Sequence, residues 1–312
     1  MMLNSETLHH LNKRWNDERI FQETRRIIAA VLQHIIYNEF LPKVLGRSVM
    51  KHHDLLLQKE GYSNDYDKNC NPQISAAFSA AAFRFGHTLI SPDIWRMDEF
   101  LTPLRPPLKL QENFRNVTTA FQLDEGGVDT LMMGVIGAPS EKFDRHITKA
   151  VRNHLFEKRG YPFSGMDLPA LNIQRGRDHG IPGYNNYRRF CGLPRVKRFH
   201  HLEDTMDKDA IGALSYVYRS VDDIDLFPGL MSETALKDAI VGPTTACILA
   251  EQFSHLKRCD RFWYENHDEA TRFTPKQLQE IRKITLAKII CDNVDITKVI
   301  PSHVFETNEH AG

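Results

Sequence analysis

Residues 15–46 read WNDERIFQETRRIIAAVLQHIIYNEFLPKVLG, and the spacing of their apolar side chains sets the fold class. Ile20, Ile27, Val31 and Ile35 recur at helical steps, and Ile28, Leu32 and Ile36 widen the stripe. Such a stripe is one face of a long amphipathic helix over Asn16–Phe40. Asp17 and Glu18 sit at its positive N-terminal end, where acidic groups are favourable. Leu41-Pro42 is expected to end it, because proline has no backbone N–H to continue the ladder. Outward from this helix, a turn-rich stretch from Gly61 to Pro72 leads to a second, alanine-rich helix over Ile74–Leu89, closed by Pro92. Pro103, Pro106 and Pro107 make a stiff connector. Shorter helices are expected at Phe114–Gly134 and Glu141–Leu155. Gly160–Pro194 is dense in glycine and proline and reads as loop with short helical turns. Met206–Tyr218, Ser232–Phe253 (interrupted at Gly242-Pro243) and Pro275–Ile289 complete the helices. No strand-like alternation is sustained and no hinge divides the chain, so residues 1–312 read as one mainly α domain with long irregular connections.

The composition agrees with a folded globular chain. Of 312 residues, 41% are hydrophobic and 26% charged, and 40 basic side chains balance 40 acidic ones. A surface built to neutralise phosphates leaves a basic excess, so nucleic acid is not the expected partner. No apolar stretch approaches the ~18 residues of a membrane span. The first twenty residues hold no apolar run of signal-peptide length. The five cysteines are odd in number and include no CxxC pair, which argues against a zinc knuckle or thioredoxin-like site. One glycosylation sequon, Asn116-Val117-Thr118, stands among polar residues.

Fifteen histidines offer many candidate ligands. His9-His10, His52-His53 and His200-His201 lie in polar surroundings and read as surface pairs. His87 differs: it follows SAAFSAAAFRFG (75–86), whose small residues let a flat, bulky group approach the backbone. Arg84 stands one turn earlier, able to reach an anion beside whatever His87 touches. The residues alone leave two readings open, a core histidine on an alanine-rich helix or a ligand. The second constellation is DLPALNIQRGRDHGIPGYNN (167–186). Asn172, Gln174, Arg175, Arg177, Asp178 and His179 pack donors and acceptors into a short span, which implies a hydrogen-bonded hub or a site. Asp178-His179 lacks the GxSxG elbow that a serine hydrolase needs. No Walker loop, GxGxxG, HExxH or EF-hand loop is present.

The runs AAFRFGHTLI (81–90), LPALNIQRGRDHGIPGYNNYRRFCGLP (168–194), CDRFWYEN (259–266) and IICDNVDIT (289–297), with the helix of 15–46, resemble the animal haem peroxidases. The resemblance runs in order from about Asn12 to Phe305. It implies a helical haem peroxidase domain holding haem b, with His87 as the axial iron ligand and metal-binding residue. It implies that Asn172 accepts the other ring N–H of His87, fixing the tautomer. It assigns Arg175, and with it Arg84, to the haem propionates.

The resemblance also implies what this chain lacks. The family's distal histidine, glutamine and arginine, its calcium loop and the acidic residues beside haem precede the matched region. The chain is therefore expected to be the proximal half of the domain, with no catalytic residue of its own and no calcium site. Three outcomes follow: a peroxidase using hydrogen peroxide and a small reducing donor or halide, a non-catalytic haem-binding relative, or an incomplete product that associates with a missing distal segment. The family is typically secreted, so a secretory or extracellular setting is expected although no signal peptide is evident. Cys191 and Cys247 resemble a family disulfide, Cys291 is expected to be unpaired, and Cys70 and Cys259 have no assigned partner.

Overall fold

Asn16 caps the long helix, its side-chain oxygen accepting the Arg19 amide at 3.0 Å. The computed structural model describes residues 2–268 and 271–307. A short α1 (Met2–Leu11) precedes α2 (Asp17–Ile35), which does not end at Leu41-Pro42. It passes through a π-helical turn, Ile36–Phe40, into α3 (Leu41–His52). The Leu41 amide bonds to Ile36, five residues back, and this wider turn shifts the register. Pro42 then falls in the first turn of α3, where its missing N–H leaves no gap. Gly46 bends α3 with φ +75°, and a β-carbon there would meet the Asp238 carbonyl oxygen at 2.9 Å.

The alanine-rich segment is also not one helix. Ser75 caps α4 (Ala76–Ala80) by accepting the Phe78 amide at 3.2 Å. Ala81, at φ −135° and ψ −69°, breaks the chain direction, and Ala82–Leu89 continues as a 3₁₀ helix. Ala80, Ala81 and Ala82 are buried, so close packing here overrides alanine's helix propensity.

A two-residue antiparallel pair, β1 (Asp93–Ile94) with β2 (Leu108–Lys109), flanks the proline connector. After α5 (Leu110–Asn113), the expected helix Phe114–Gly134 splits into α6 (Thr118–Phe121), a 3₁₀ turn and α7 (Gly127–Gly137). The cause is Gly126, left-handed at φ +81°. Within Glu141–Leu155 only α8 (Lys149–Arg152) is α-helical. Gly160–Pro194 is more regular than its glycines imply, holding α9 (Leu168–Asp178) and α10 (Tyr184–Phe190). The rest is α11 (Lys208–Val217), α12 (Leu226–Met231), α13 (Pro243–Cys259), α14 (Pro275–Ile281) and α15 (Leu286–Cys291). The interruption at Gly242-Pro243 is real, but the preceding helix is α12, ending at Met231. Pro275–Ile289 likewise divides into two.

The architecture is mainly α, as expected. Its core gathers Leu41 and Leu45 of α3, Phe78 of α4, Tyr184 of α10, Leu230 of α12 and Leu249 and Phe253 of α13. Each such side chain contributes roughly 1.5–3 kcal/mol on burial. A smaller cluster packs Met97 and Met133 against Ile290 and Val294. Cys191 bonds to Cys247, and Cys70 bonds to Cys259, supplying the partner that the sequence left unassigned. Cys291 is unbonded and exposed. Among the described residues no helix is long and apolar enough to cross a membrane.

Candidate functional site

The polar span 167–194 divides into a hub and a site. Its second half is structural: the Arg188 guanidinium, fully buried, donates to Asp204 at 2.6 Å and Thr205 at 2.7 Å. Tyr184 donates to buried Glu233 at 2.8 Å, and Asn185 bridges the Val196 backbone. The first half faces His87. Asp167 caps α9 by accepting the Ala170 amide at 2.9 Å, and Arg177 holds Asp225 through two bonds of 3.0 and 2.7 Å, fixing α9 to α12. Asn172, on the inner face of α9, is fully buried.

On the other side, Gln252 of α13 steadies the start of α4. It accepts the Ser75 amide at 2.8 Å and donates to the Gln73 carbonyl at 3.0 Å. In the 3₁₀ helix that follows, three residues make one turn, so Arg84 and His87 lie along one edge. Arg84 Nε donates to the Ser79 carbonyl at 3.0 Å, and its Nη1 donates to Asn172 Oδ1 at 2.7 Å. Asn172 Nδ2 stands 2.9 Å from His87 Nδ1. The structure thus brings His87, Asn172 and Arg84 into one hydrogen-bonded chain.

That chain dictates its own proton positions. A guanidinium only donates, so the amide must turn its oxygen to Arg84 and its nitrogen to His87. The amide nitrogen also only donates, so His87 Nδ1 accepts and the ring proton of the neutral imidazole sits on Nε2. The expected arrangement, with Asn172 accepting from His87, requires the amide to reverse and Arg84 to release its oxygen. Sequence reasoning missed this competition, because nothing in the sequence ties residue 84 to residue 172. Burial first, and then the Arg84 charge, push the His87 pKa below its ordinary value, favouring the neutral ring that a metal ligand requires.

Arg175 lies one turn along α9 from Leu171, is exposed, and its guanidinium makes no hydrogen bond or ion pair among the described residues. Its charge, after burial, depresses the Arg84 pKa, so both guanidiniums act on the same region without an anion between them. Around them Phe83 is 43% and Leu171 39% exposed, unusual for large apolar groups beside a polar cluster. Gly86 and Gly176 both face open space, with nothing within 4 Å of an added β-carbon. Behind Asn172 a cavity of about 10 Å3, lined by Ala81, Gly176, Ile181 and Phe227, admits no more than a water. Any ligand of His87 must therefore approach from the open side. A separate groove of about 670 Å3 between α2 and α14 is lined by Trp15, Ile27, Phe273 and Ile284 and shares no residue with this site. A neutral imidazole, two unneutralised guanidiniums and an exposed apolar rim fit a flat iron tetrapyrrole bearing two carboxylates.

The other histidines divide as their surroundings dictate. His9, His10, His52, His200 and His201 are exposed. His53 departs from the surface reading, half-buried against Glu251 at 3.2 Å.

The sequence profile described as animal haem peroxidase matches residues 4–305, and the chain belongs to that family. It is 40% identical to the peroxidasin homolog pxn-2 of Caenorhabditis elegans over 96% of its own length and 22% of the relative's. Heme peroxidase 2 of the same organism is 39% identical over 97% of this chain and 42% of that protein. Human myeloperoxidase is 38% identical over 97% and 40%. Among solved structures, peroxidase A of Dictyostelium discoideum superposes with a TM-score of 0.77 at 34% identity, covering 96% of this chain and 53% of that one. Fatty acid alpha-dioxygenase of Arabidopsis thaliana, at 20% identity and a TM-score of 0.69, shares the fold. The chain thus spans between about a fifth and half of these proteins.

Proposed function

We propose that this chain is the proximal, iron-holding part of a haem peroxidase domain. Its likeness to haem peroxidases, human myeloperoxidase among them, supports haem b as cofactor and hydrogen peroxide with a small donor or halide as reactants. The observation that carries the reading is the chain Arg84–Asn172–His87, with Arg175 beside it. His87 would hold the haem iron, Asn172 would orient its ring, and Arg175 with Arg84 would pair with the propionates. Bound haem supplies the redox-active iron at which peroxide is reduced. On this reading Arg84 would exchange Asn172 for a propionate, and the freed Asn172 oxygen would turn to accept the Nδ1 proton of His87. The ring's Nε2 is left with a lone pair, as an iron ligand needs.

These residues hold and orient; none of them moves a proton on the reacting side. A positioned general base is worth roughly 10²–10⁴-fold and a fixed oxyanion donor about 10²–10³-fold. By this reading efficient turnover requires such groups from a distal segment, and the haem-loaded chain alone reacts with peroxide at a rate near that of free haemin. The two disulfides and the exposed Asn116 sequon favour an oxidising, secretory setting. Haemin titration followed by the Soret band tests the assignment. Wild type should give a histidine-ligated spectrum and His87→Ala should lose it; an identical spectrum in the variant overturns the axial role. A peroxide reaction far faster than haemin's would instead mean that the chain has its own distal chemistry.

A further inference from the structure

Away from the His87 site, Cys70, Cys259 and His255 place their ligand atoms within 4.8 Å of one another. We propose that on reduction of the Cys70–Cys259 disulfide these three side chains bind a thiophilic divalent cation, zinc in the first instance. His255 and Cys259 are four residues apart on α13 and so share one helix face, while Cys70 comes from the turn-rich segment before α4. Cys70 Sγ lies 3.8 Å from His255 Nδ1. Bonds of about 2.3 Å to sulfur and 2.0 Å to nitrogen at a tetrahedral angle separate the two donors by roughly 3.5 Å, so little movement is needed.

The decisive feature is the other nitrogen of His255. Nε2 bonds to the Asn71 carbonyl, which can only accept. The ring proton is therefore on Nε2, and Nδ1 presents its lone pair to the cysteines. A backbone carbonyl fixing the far ring nitrogen is the usual support of a metal-bound imidazole. The disulfide alone has no need of that orientation.

The frame also stands without the covalent bond. The Asp67 amide donates to the Arg258 carbonyl at 2.9 Å, and the Cys70 amide to Asp67 at 3.2 Å. Buried Lys257 donates to the Asp54 and Leu56 carbonyls at 2.7 and 3.1 Å and pairs with Asp65 at 3.3 Å. The segment therefore stays docked on α13 when the sulfurs part. A dithiol reduces the disulfide to two thiols by giving up two electrons and two protons and closing its own disulfide. A phosphine gives the two electrons, takes oxygen from water to become its oxide, and that water supplies the two protons. The cation then displaces both thiol protons, and His255 adds its lone pair. Cys70 and His255 are partly exposed, which leaves a fourth position to water. A metal clamp replaces the covalent one between the same two elements.

The full chain is reduced with a phosphine, freed of reductant without oxygen, and titrated with Co²⁺ and then Zn²⁺. A thiolate-to-cobalt charge-transfer band, lost on adding Zn²⁺, is expected. His255→Ala, which keeps the disulfide, should weaken Co²⁺ binding at least about tenfold. Cysteine alkylation mapped by peptide should show Zn²⁺ protecting Cys70 and Cys259 while Cys291, exposed and unbonded, reacts freely. Absence of the band, an unchanged affinity in His255→Ala, or protection that spares Cys70 and Cys259 each overturns the site. An unfolded reduced chain that Zn²⁺ does not refold, read by circular dichroism, overturns it as well.

Discussion

Replacing Asn172 with alanine cuts the Arg84–Asn172–His87 chain at its middle. Arg84 Nη1 loses an acceptor at 2.7 Å, and a hydrogen bond to a charged group is worth about 1.5–3 kcal/mol. The lower end applies, because Arg84 is only half-buried and keeps its Nε bond to Ser79 at 3.0 Å. His87 Nδ1 loses a neutral partner at 2.9 Å, worth about 0.5–1.5 kcal/mol. The vacated space joins the cavity of about 10 Å3 behind it, where a water can recover part of the loss. The balance is a destabilisation of about 2–3 kcal/mol, which for a chain this long lowers Tm by roughly 3–5 °C. Haemin affinity should fall about 10–100-fold, since an unsupported imidazole ligand binds iron less well. Circular dichroism on heating and a Soret titration measure the two effects separately. Asn172→Asp separates them further. A carboxylate keeps Arg84 paired and should restore most of the lost Tm, while its charge against the ring lowers the iron reduction potential. A fall in Tm below 1 °C together with unchanged haemin affinity in the alanine variant would refute the reasoning.

Three other outcomes are expected. Cys191→Ser opens a loop spanning 56 residues, worth about 4 kcal/mol by chain entropy, and should lower the urea midpoint accordingly; an unchanged midpoint would mean the bond constrains nothing in the unfolded chain. Arg282 pairs with fully buried Glu265 at 2.8 Å, so Arg282→Met should cost about 3–5 kcal/mol, and Arg282→Met with Glu265→Leu should cost less than the single change. His34 is buried against the Tyr264 hydroxyl, and burial, its largest cause, holds its pKa below the ordinary 6.5. The unfolded chain then takes up a proton as pH falls through 6.5 while the folded chain does not, so stability present above that pH is lost below it. His34→Gln should flatten this decline in urea midpoints measured between about pH 7.5 and 5.5, and an unaltered slope would assign it to other groups.

The long helix was legible because its apolar stripe and the acidic Asp17 and Glu18 at its start are local properties; the structure adds Asn16 as its cap. Its end was not legible. Proline was read as a stop, but a π turn five residues long re-registers the backbone so that Pro42 opens the next helix. The alanine-rich segment misled for the opposite reason. Alanine favours a continuous helix in isolation, yet here small size matters more than propensity, because Ala80–Ala82 are buried where the chain changes direction. The glycines of Gly160–Pro194 suggested irregular chain, while several of them, Gly176 included, sit inside or at the ends of helices.

The site was legible as a set of residues and illegible as a network. His87, Arg84, Asn172 and Arg175 stand out by type and by family resemblance, and the first three meet within hydrogen-bonding distance. What no sequence pattern could show is that one amide oxygen is claimed by two donors. Arg84 holds it now; a His87 that ligates iron through Nε2 must claim it instead. The cost of that exchange, one charge-assisted bond at 2.7 Å, is of the size a propionate offers the same guanidinium in return. On the proposed function, pairing Arg84 with a propionate and switching the His87 tautomer would therefore be one event. It follows that Arg84→Gln, whose amide nitrogen still donates to Asn172 but which cannot pair ionically with a carboxylate, should leave the haem-free fold intact and weaken haemin binding. Arg84→Ala, which frees the Asn172 oxygen, should instead shift His87 toward the Nδ1–H tautomer before any haem is added. Nitrogen chemical shifts of the His87 ring distinguish the two tautomers directly, and the same Nε2–H form in wild type and Arg84→Ala would break the link between them.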